Sequence, residues 1–317
     1  MTSTTGLVRE VRGVLASAGI DQAAAEARWI VAHVLGIAPG ELALRLALGE
    51  DAPEDAVEQA RRLAAERATR RPLQHVLGEA PFRALTLAVG PGVFVPRPET
   101  ELLAGAVIDW LHAERTAGRS ARRVLEAGTG SAAIALAIAT ETPGVVVETV
   151  EVDPDARRCA QRNIAAAAPD LDRVGSRVRL RAGDAVAALA VTRPAALDVV
   201  VSNPPYVPEA DIPAEPEARA DPAIALYAGA DGLDVIRALL PPAARALRPG
   251  GLVALEHTER QGARVRALAA AAGLVAARTH PDLTGRDRFT TALAPAAAPQ
   301  DRHGRAGYNG TDTRGEA

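Results

Sequence analysis

From residue 122 to residue 293 the chain repeats one unit: a short apolar run, a turn rich in glycine or acid, then a helix-periodic segment. No other feature narrows its possible folds so far. Strands are predicted over 123–127, 145–150, 178–182, 197–201, 251–256 and 288–293, with helices over 132–139, 154–168, 232–247 and 265–272. A strand that reaches the next through a helix returns parallel, and helices must then cover both sheet faces. The expected fold class is α/β, a Rossmann-like doubly wound sheet. Ligands in such sheets lie beyond the C-terminal strand ends, at the point where strand order reverses.

Residues 1–75 follow a helical period instead. Leu7, Val8, Val11, Val14 and Leu15 form one apolar stripe. Asp21 is the expected N-cap of a second helix that stops at Gly36, and residues 41–48 make a short third. Asp51 and Pro53 open a fourth, ending at Arg70 or Arg71. With no strand signal, this part reads as a small helical domain. Arg61, Arg62, Arg67, Arg70 and Arg71 give its last helix a basic row, either a solvated face or a contact surface for an acidic partner or RNA. Over 76–96, Phe82, Leu85, Leu87, Val89, Val93 and Val95 surround Gly90-Pro91-Gly92, which reads as a hairpin linking two domains. A helix is predicted over 99–112. Residues 97–294 form the larger domain, and 295–317, without periodicity, read as a disordered tail.

Composition removes several classes of chemistry. The net charge of −3 sets up no global field for nucleic acid. There is no lysine, which excludes a lysine Schiff base and a P-loop lysine. Cys159 is the one cysteine, so neither an intrachain disulfide nor a thiolate metal site can form; it reads as a buried structural thiol. The six histidines show no ligand spacing, and no metal is expected. The N-terminus is amphipathic and charged, unlike a signal peptide, and no run approaches the roughly 18 apolar residues of a membrane span. A cytoplasmic protein is the expectation.

The chemistry concentrates at strand ends. Asn203-Pro204-Pro205-Tyr206 follows the strand at 197–201. The prolines fix φ and remove two backbone donors, leaving nearby carbonyls free to accept. Asn203 adds an acceptor and Tyr206 a flat face, a set that suits a planar NH2 group. Gly128-Thr129-Gly130-Ser131-Ala132 follows the first strand and opens a helix, where backbone can approach a ligand closely. It departs from the dinucleotide fingerprint, because Ala133 stands where the last glycine would be. Glu151 ends the next strand at the spacing of a ribose-binding acid, with Asp153 either sharing that contact or capping the helix. Asp184 ends the third strand, where it could accept from an adenine amine. Loop, acid, acid and Asn at four strand ends are the layout for a nucleoside cofactor across the switch point.

With these residues the chain resembles the protein-(glutamine-N5) methyltransferases that modify peptide chain release factors, the HemK/PrmC group. The resemblance runs from about residue 5 to 294. It rests on the ordered set 71–78, Pro96-Arg97-Pro98-Glu99-Thr100-Glu101, Gly128 to Ser131, Asn203 to Tyr206, Asp221-Pro222, Asp231-Gly232-Leu233 and Glu256-His257. His75 stands where Tyr is more usual, Ala132 where the family has a third glycine, and Ala185 where some members carry Trp beside adenine.

The resemblance implies a class I S-adenosylmethionine-dependent methyltransferase sheet behind a helical substrate-recognition domain. Its cofactor site would comprise Gly128, Thr129, Gly130, Ser131, Ala132, Glu151, Asp184, Ala185 and Asn203. It implies methyl transfer to the glutamine of the Gly-Gly-Gln loop of a class I release factor, by a monomer with no direct nucleic-acid contact. Asn203, Pro204 and Tyr206 would be catalytic, and Asn203 to Tyr206, with Pro205, would bind substrate. A ribosomal-protein glutamine or an adenine N6 would suit the same acceptors. A cofactor-binding module without activity is a further reading, whereas the loop spacing disfavours a nicotinamide oxidoreductase.

Overall fold

The computed structural model describes residues 2–120, 122–212 and 216–296. The chain begins with β1 (Thr2–Ser3) and α1 (Thr4–Ser17), where the Ser3 hydroxyl accepts from Gly6 N at 3.1 Å as an N-cap. Helices α2 (Ala23–Val34) and α3 (Pro39–Leu48), strand β2 (Asp51–Ala52), and helices α4 (Glu54–Ala68) and α5 (Leu73–Leu77) follow. Leu7, Val11 and Leu15 of the predicted stripe are buried against Ile30, Val31, Leu42 and Leu63 in one core. Two expectations need correction. Gln22, not Asp21, precedes α2, and it makes no side-chain cap. This helical part also holds a small ladder, β1 antiparallel to β2, too short for a periodic signal.

The hairpin lies elsewhere than predicted. Strands β3 (Glu79–Phe82) and β4 (Leu85–Ala88) turn at Arg83-Ala84, with Arg83 at φ 52°. Gly90-Pro91-Gly92 makes the next turn, closed by Val93 N to Gly90 O at 3.1 Å. Turn-prone composition drew the prediction to the glycines, whereas the pairing of Phe82 with Leu85 sets the actual register.

The larger part opens with α6 (Pro98–Thr116), which exceeds the predicted 99–112. It continues with β5 (Arg123–Ala127), α7 (Ala133–Glu141), β6 (Val146–Glu151), α8 (Pro154–Ala166), α9 (Ala168–Val174), β7 (Arg177–Ala182), α10 (Ala185–Val191) and β8 (Leu197–Ser202). A 3-10 turn (Pro216–Ala220), α11 (Ala223–Leu226), α12 (Asp234–Ala246), β9 (Leu247–Glu256), α13 (Gly262–Ala271), β10 (Val275–Pro281) and β11 (Asp287–Leu293) complete it. The helix predicted over 154–168 breaks at Ala167, because Pro169 cannot donate to a continuing ladder and instead starts α9.

The seven-stranded sheet has the order β10-β11-β9-β8-β5-β6-β7. Strands β5 to β9 are parallel, as expected. The last two are not: β11 runs antiparallel to β9, and β10 antiparallel to β11. No helix separates β10 from β11, so they return as a hairpin; β10 is a partly exposed edge with little apolar alternation, which hid it in the sequence. Leaving β5, the chain builds outward through β6 and β7, then crosses to β8 on the other side. The switch point is thus between β5 and β8, under the two strand ends that carry Gly128 and Asn203.

Four of the row's five arginines, Arg61, Arg67, Arg70 and Arg71, form ion pairs within the chain. Arg61 holds Glu10, Arg71 holds Glu66, and buried Arg67 binds both Glu26 (2.7 Å) and Glu217 (2.9 Å). Arg70 also reaches Glu217, so α4 is pinned to the segment beside the cleft. His75 adds a tie from α5, with its Nε2 3.0 Å from the Val93 carbonyl. No single described helix is long and apolar enough to cross a membrane; the pair α2 and α3 matches only jointly, across a 93° bend. Of the predicted tail, residues 297–317 lie outside the described residues.

Candidate active site

A cleft of about 830 Å³ opens over the C-terminal ends of β5, β6 and β8. The predicted residues Gly128, Thr129, Gly130, Ser131, Glu151, Asp184, Ala185, Asn203, Pro204, Pro205 and Tyr206 all line it. Ala132 does not: it is fully buried in the core at φ 68° and serves as the N-cap residue of α7. Its influence on a ligand would pass through the loop backbone.

The glycine loop is fastened by two carboxylates. Glu151 Oε2 accepts from Gly130 N, and its Oε1 accepts from Asp153 N, both at 2.9 Å. Asp153 caps α8, with Oδ1 accepting from Asp155 N and Ala156 N. Oδ2 takes no part in this cap, and Asp153 also lines the cleft. Asp184 caps α10 through Ala187 N at 2.7 Å, which leaves its second oxygen for a ligand.

Glu126 is the second fastening, and sequence reading gave it no role. Its Oε2 accepts from the Thr129 and Thr149 hydroxyls, each at 2.5 Å. Its Oε1 is buried with no hydrogen-bond partner among the described residues. Burial, opposed by the two hydroxyls, pushes this carboxyl up to about 7. The available signal was an acid inside an otherwise apolar strand, Val124-Leu125-Glu126-Ala127, since an unpaired carboxyl is costly in a core. An orphaned acidic oxygen beside a glycine loop suits a cationic group, and Glu151 suits hydroxyls. The donor set therefore fits S-adenosylmethionine, whose sulfur and amino group carry positive charge.

Across the cleft, Asn203 Nδ2 donates to Thr100 Oγ1 at 3.1 Å, while Oδ1 has no partner among the described residues. Thr100 belongs to the first turn of α6, so the segment 96–101 braces the residue at the end of β8. Tyr206 is held at three points. Its N–H donates to Leu226 O at 3.1 Å, its carbonyl accepts from Gln261 Nε2 at 3.0 Å, and its hydroxyl donates to Glu256 Oε1 at 3.2 Å. Burial, then the Glu256 charge, raises the Tyr206 phenol above its usual range, so it stays neutral. Glu256 and Arg288 also line the cleft. Sequence reading quoted Glu256 only for its place in the family order and missed Arg288, because each comes from a strand distant in sequence.

Residues 7–78 match the family described as the PrmC N-terminal domain, and residues 87–215 match the methyltransferase small domain. The release factor glutamine methyltransferase of Bifidobacterium longum is 37% identical over 294 residues, covering 92% of this chain and 99% of that protein. Its counterpart in Streptomyces coelicolor is 43% identical over 283 residues, covering 88% of this chain and 93% of that protein. Among solved structures, the fold is similar to the hMettl16 catalytic domain crystallised with MAT2A 3'UTR hairpin 6. The TM-score is 0.50 at 16% identity, covering 75% of this chain and 83% of that one.

Proposed function

The chain belongs to the release factor glutamine methyltransferases, and from that premise we propose that its target is the Gly-Gly-Gln glutamine of a class I peptide chain release factor. The enzyme is an S-adenosylmethionine-dependent methyltransferase. When bound, the cofactor supplies a methyl group on a positively charged sulfur. The loop Gly128 to Ser131 would hold it, with Glu151 on the ribose, Asp184 and Ala185 near the adenine, and Glu126 facing positive charge.

A glutamine amide nitrogen is a poor nucleophile because its lone pair is delocalised into the carbonyl. Asn203 Oδ1 and the Pro204 carbonyl accept its two hydrogens. Both bonds strengthen as the nitrogen becomes positive, so they favour the transition state over the ground state. Tyr206 stacks on the amide plane and limits its approach, and holding the nitrogen in line supplies much of the rate. The observation that carries this reading is the direction of the Asn203 side chain: Nδ2 is engaged by Thr100, and the accepting end is the free one.

In this reading the helical domain, 1–75, grips the release factor, the linker spans 76–96, and 97–294 carries out transfer as a monomer in the cytoplasm. The pairing of Arg61, Arg67, Arg70 and Arg71 with internal acids speaks against direct nucleic-acid contact. The test is transfer from labelled S-adenosylmethionine to a purified release factor, beside a factor with Ala in place of the Gly-Gly-Gln glutamine. Label on the intact factor alone is the expected result. Equal label on both would move the target elsewhere, to a ribosomal-protein glutamine before an adenine amine.

A further inference from the structure

We propose that Arg288 is a substrate-anchoring residue that binds main-chain carbonyls of the Gly-Gly-Gln loop through its Nη hydrogens, and that Asp282 is the residue that positions it. The assignment rests on the release-factor reading given above.

The target loop sets the requirement. Its glycines have no side chains, so beyond the glutamine only main-chain N–H and C=O groups are there to be recognised. The cleft wall at Asn203 is short of donors for those carbonyls, because Pro204 and Pro205 have no N–H and Asn203 Nδ2 is spent on Thr100. A guanidinium supplies such donors in a rigid planar fork.

Arg288 stands on the side of the cleft where substrate must enter. Glu151 and Asp184, expected on the ribose and adenine of the cofactor, lie at the ends of β6 and β7, on one side of the switch point. Asn203 follows β8, and β9 and β11 continue the sheet away from them. Arg288 belongs to β11, one residue before the Phe289 that pairs with Glu256, and it lines the same cleft as Asn203 and Tyr206.

Its mounting is fixed before any ligand arrives. The Arg288 carbonyl accepts from His257 N at 2.8 Å, and Nε donates to Asp282 Oδ2 at 2.9 Å. The other oxygen of Asp282 accepts from Thr284 N, Thr284 Oγ1 and Arg286 N, at 2.8, 2.6 and 3.0 Å, which ties the carboxylate into the β10–β11 turn. Nη1 and Nη2 have no hydrogen-bond or ion-pair partner among the described residues, and the side chain keeps 19% of its surface exposed. Arg97, the other arginine that lines the cleft, spends Nη2 on Asp221 at 2.6 Å. A guanidinium tied at Nε with both Nη groups free gives up little further rotamer freedom on binding, and its charge strengthens each bond it donates.

The experiment measures release-factor affinity by calorimetry with S-adenosylhomocysteine bound, beside kcat, KM and S-adenosylhomocysteine affinity, on the full chain. Arg288→Ala should weaken factor binding and raise KM by about ten- to a hundredfold, the worth of a hydrogen bond from a charged donor. Its kcat should stay within about threefold of wild type, because the contact holds substrate and transition state alike. Arg288→Lys should recover only part of the loss, since an ammonium cannot serve Asp282 and the loop with one planar fork. Asp282→Asn must turn its NH2 towards either the turn donors or Arg288, and should raise KM about three- to tenfold. Added to Arg288→Ala, it should raise KM no further, a result that a merely structural turn residue would not give. A factor with Ala in place of the Gly-Gly-Gln glutamine should lose as much affinity to Arg288→Ala as the intact factor does, because the contact is to main chain. Wild-type factor affinity in Arg288→Ala overturns the assignment. So does a loss that vanishes with the altered factor, which would put Arg288 on the glutamine side chain. A parallel loss of S-adenosylhomocysteine affinity overturns it as well, by putting Arg288 on the cofactor carboxylate. A wild type that neither binds nor methylates the factor refutes the target reading, and the assignment falls with it.

Discussion

The Thr129 hydroxyl donates to Glu126 Oε2 across 2.5 Å, which closes the glycine loop onto a carboxyl with no solvent exposure. Burial raises that carboxyl from 4.5 to about 7. Since the folded state holds the proton more tightly than the unfolded chain, the group's contribution is fully present below pH 4.5. It is lost as pH rises through about 7. Above that range, ionised Glu126 costs up to about 3 kcal/mol. Denaturant unfolding of the cofactor-free protein at a series of pH values should show wild type losing stability across this window more steeply than Glu126→Gln. Parallel curves would mean that Glu126 does not titrate there.

Ala132 adopts φ 68°, a left-handed conformation, in full burial. The conformation costs an L-residue about 1–2 kcal/mol, while burying its methyl returns about 0.8 kcal/mol. Glycine would relieve the first, forfeit the second, and lose about 0.5–1 kcal/mol of chain entropy. The terms nearly cancel, so Ala132→Gly should shift stability by less than about 1 kcal/mol and leave cofactor affinity within a few-fold. Ala132→Val has no such cancellation, because it adds bulk to a packed core at a strained φ. It should cost on the order of 3 kcal/mol. Thermal unfolding and cofactor calorimetry on the two variants check both statements.

The inner parallel strands were legible because they are largely buried and read as apolar runs: β8, Leu197–Ser202, is buried along its whole length. Asn203, the residue that follows it, could then be placed over the switch point. Strand β10 was not legible, since an edge strand buries little and its sequence loses alternation. At the site, residues contributed by consecutive strand ends were found by position alone. Thr100, Glu256 and Arg288 were not, because α6, β9 and β11 reach the cleft only through tertiary packing. Glu126 falls between these cases: its strand was predicted correctly, but periodicity cannot say whether a buried acid is paired.

Gly232 sits at φ 71° directly behind Tyr206. A Cβ there would lie 2.2 Å from the Tyr206 carbonyl oxygen and 2.8 Å from Gln261 Nε2, the two atoms whose bond fixes that carbonyl. The nearer of these is backbone, so relief requires moving Tyr206. Gly232→Ala should cost on the order of 2 kcal/mol or more and lower kcat more than it weakens cofactor binding. Single-turnover methylation beside calorimetric titration of S-adenosylhomocysteine separates the two. An unchanged kcat would show that the placement of Tyr206 is not critical.

Asn203→Ala removes the accepting oxygen and leaves the rest of the cleft in place. Among the described residues the side chain makes one bond, to Thr100, and stands apart from the Gly130–Glu151 fastening. Cofactor affinity should therefore change by only a few-fold. Turnover should fall by about a thousandfold, because the lost bond is one that strengthens as charge develops on the attacking nitrogen. Stability should move by no more than about 1 kcal/mol, the usual value of one partly buried hydrogen bond. Calorimetric affinity, denaturant unfolding and single-turnover rate, measured on the same preparation, test all three. If rate and cofactor affinity fall together, Asn203 acts by shaping the cofactor site; if the rate survives, a different acceptor orients the glutamine nitrogen.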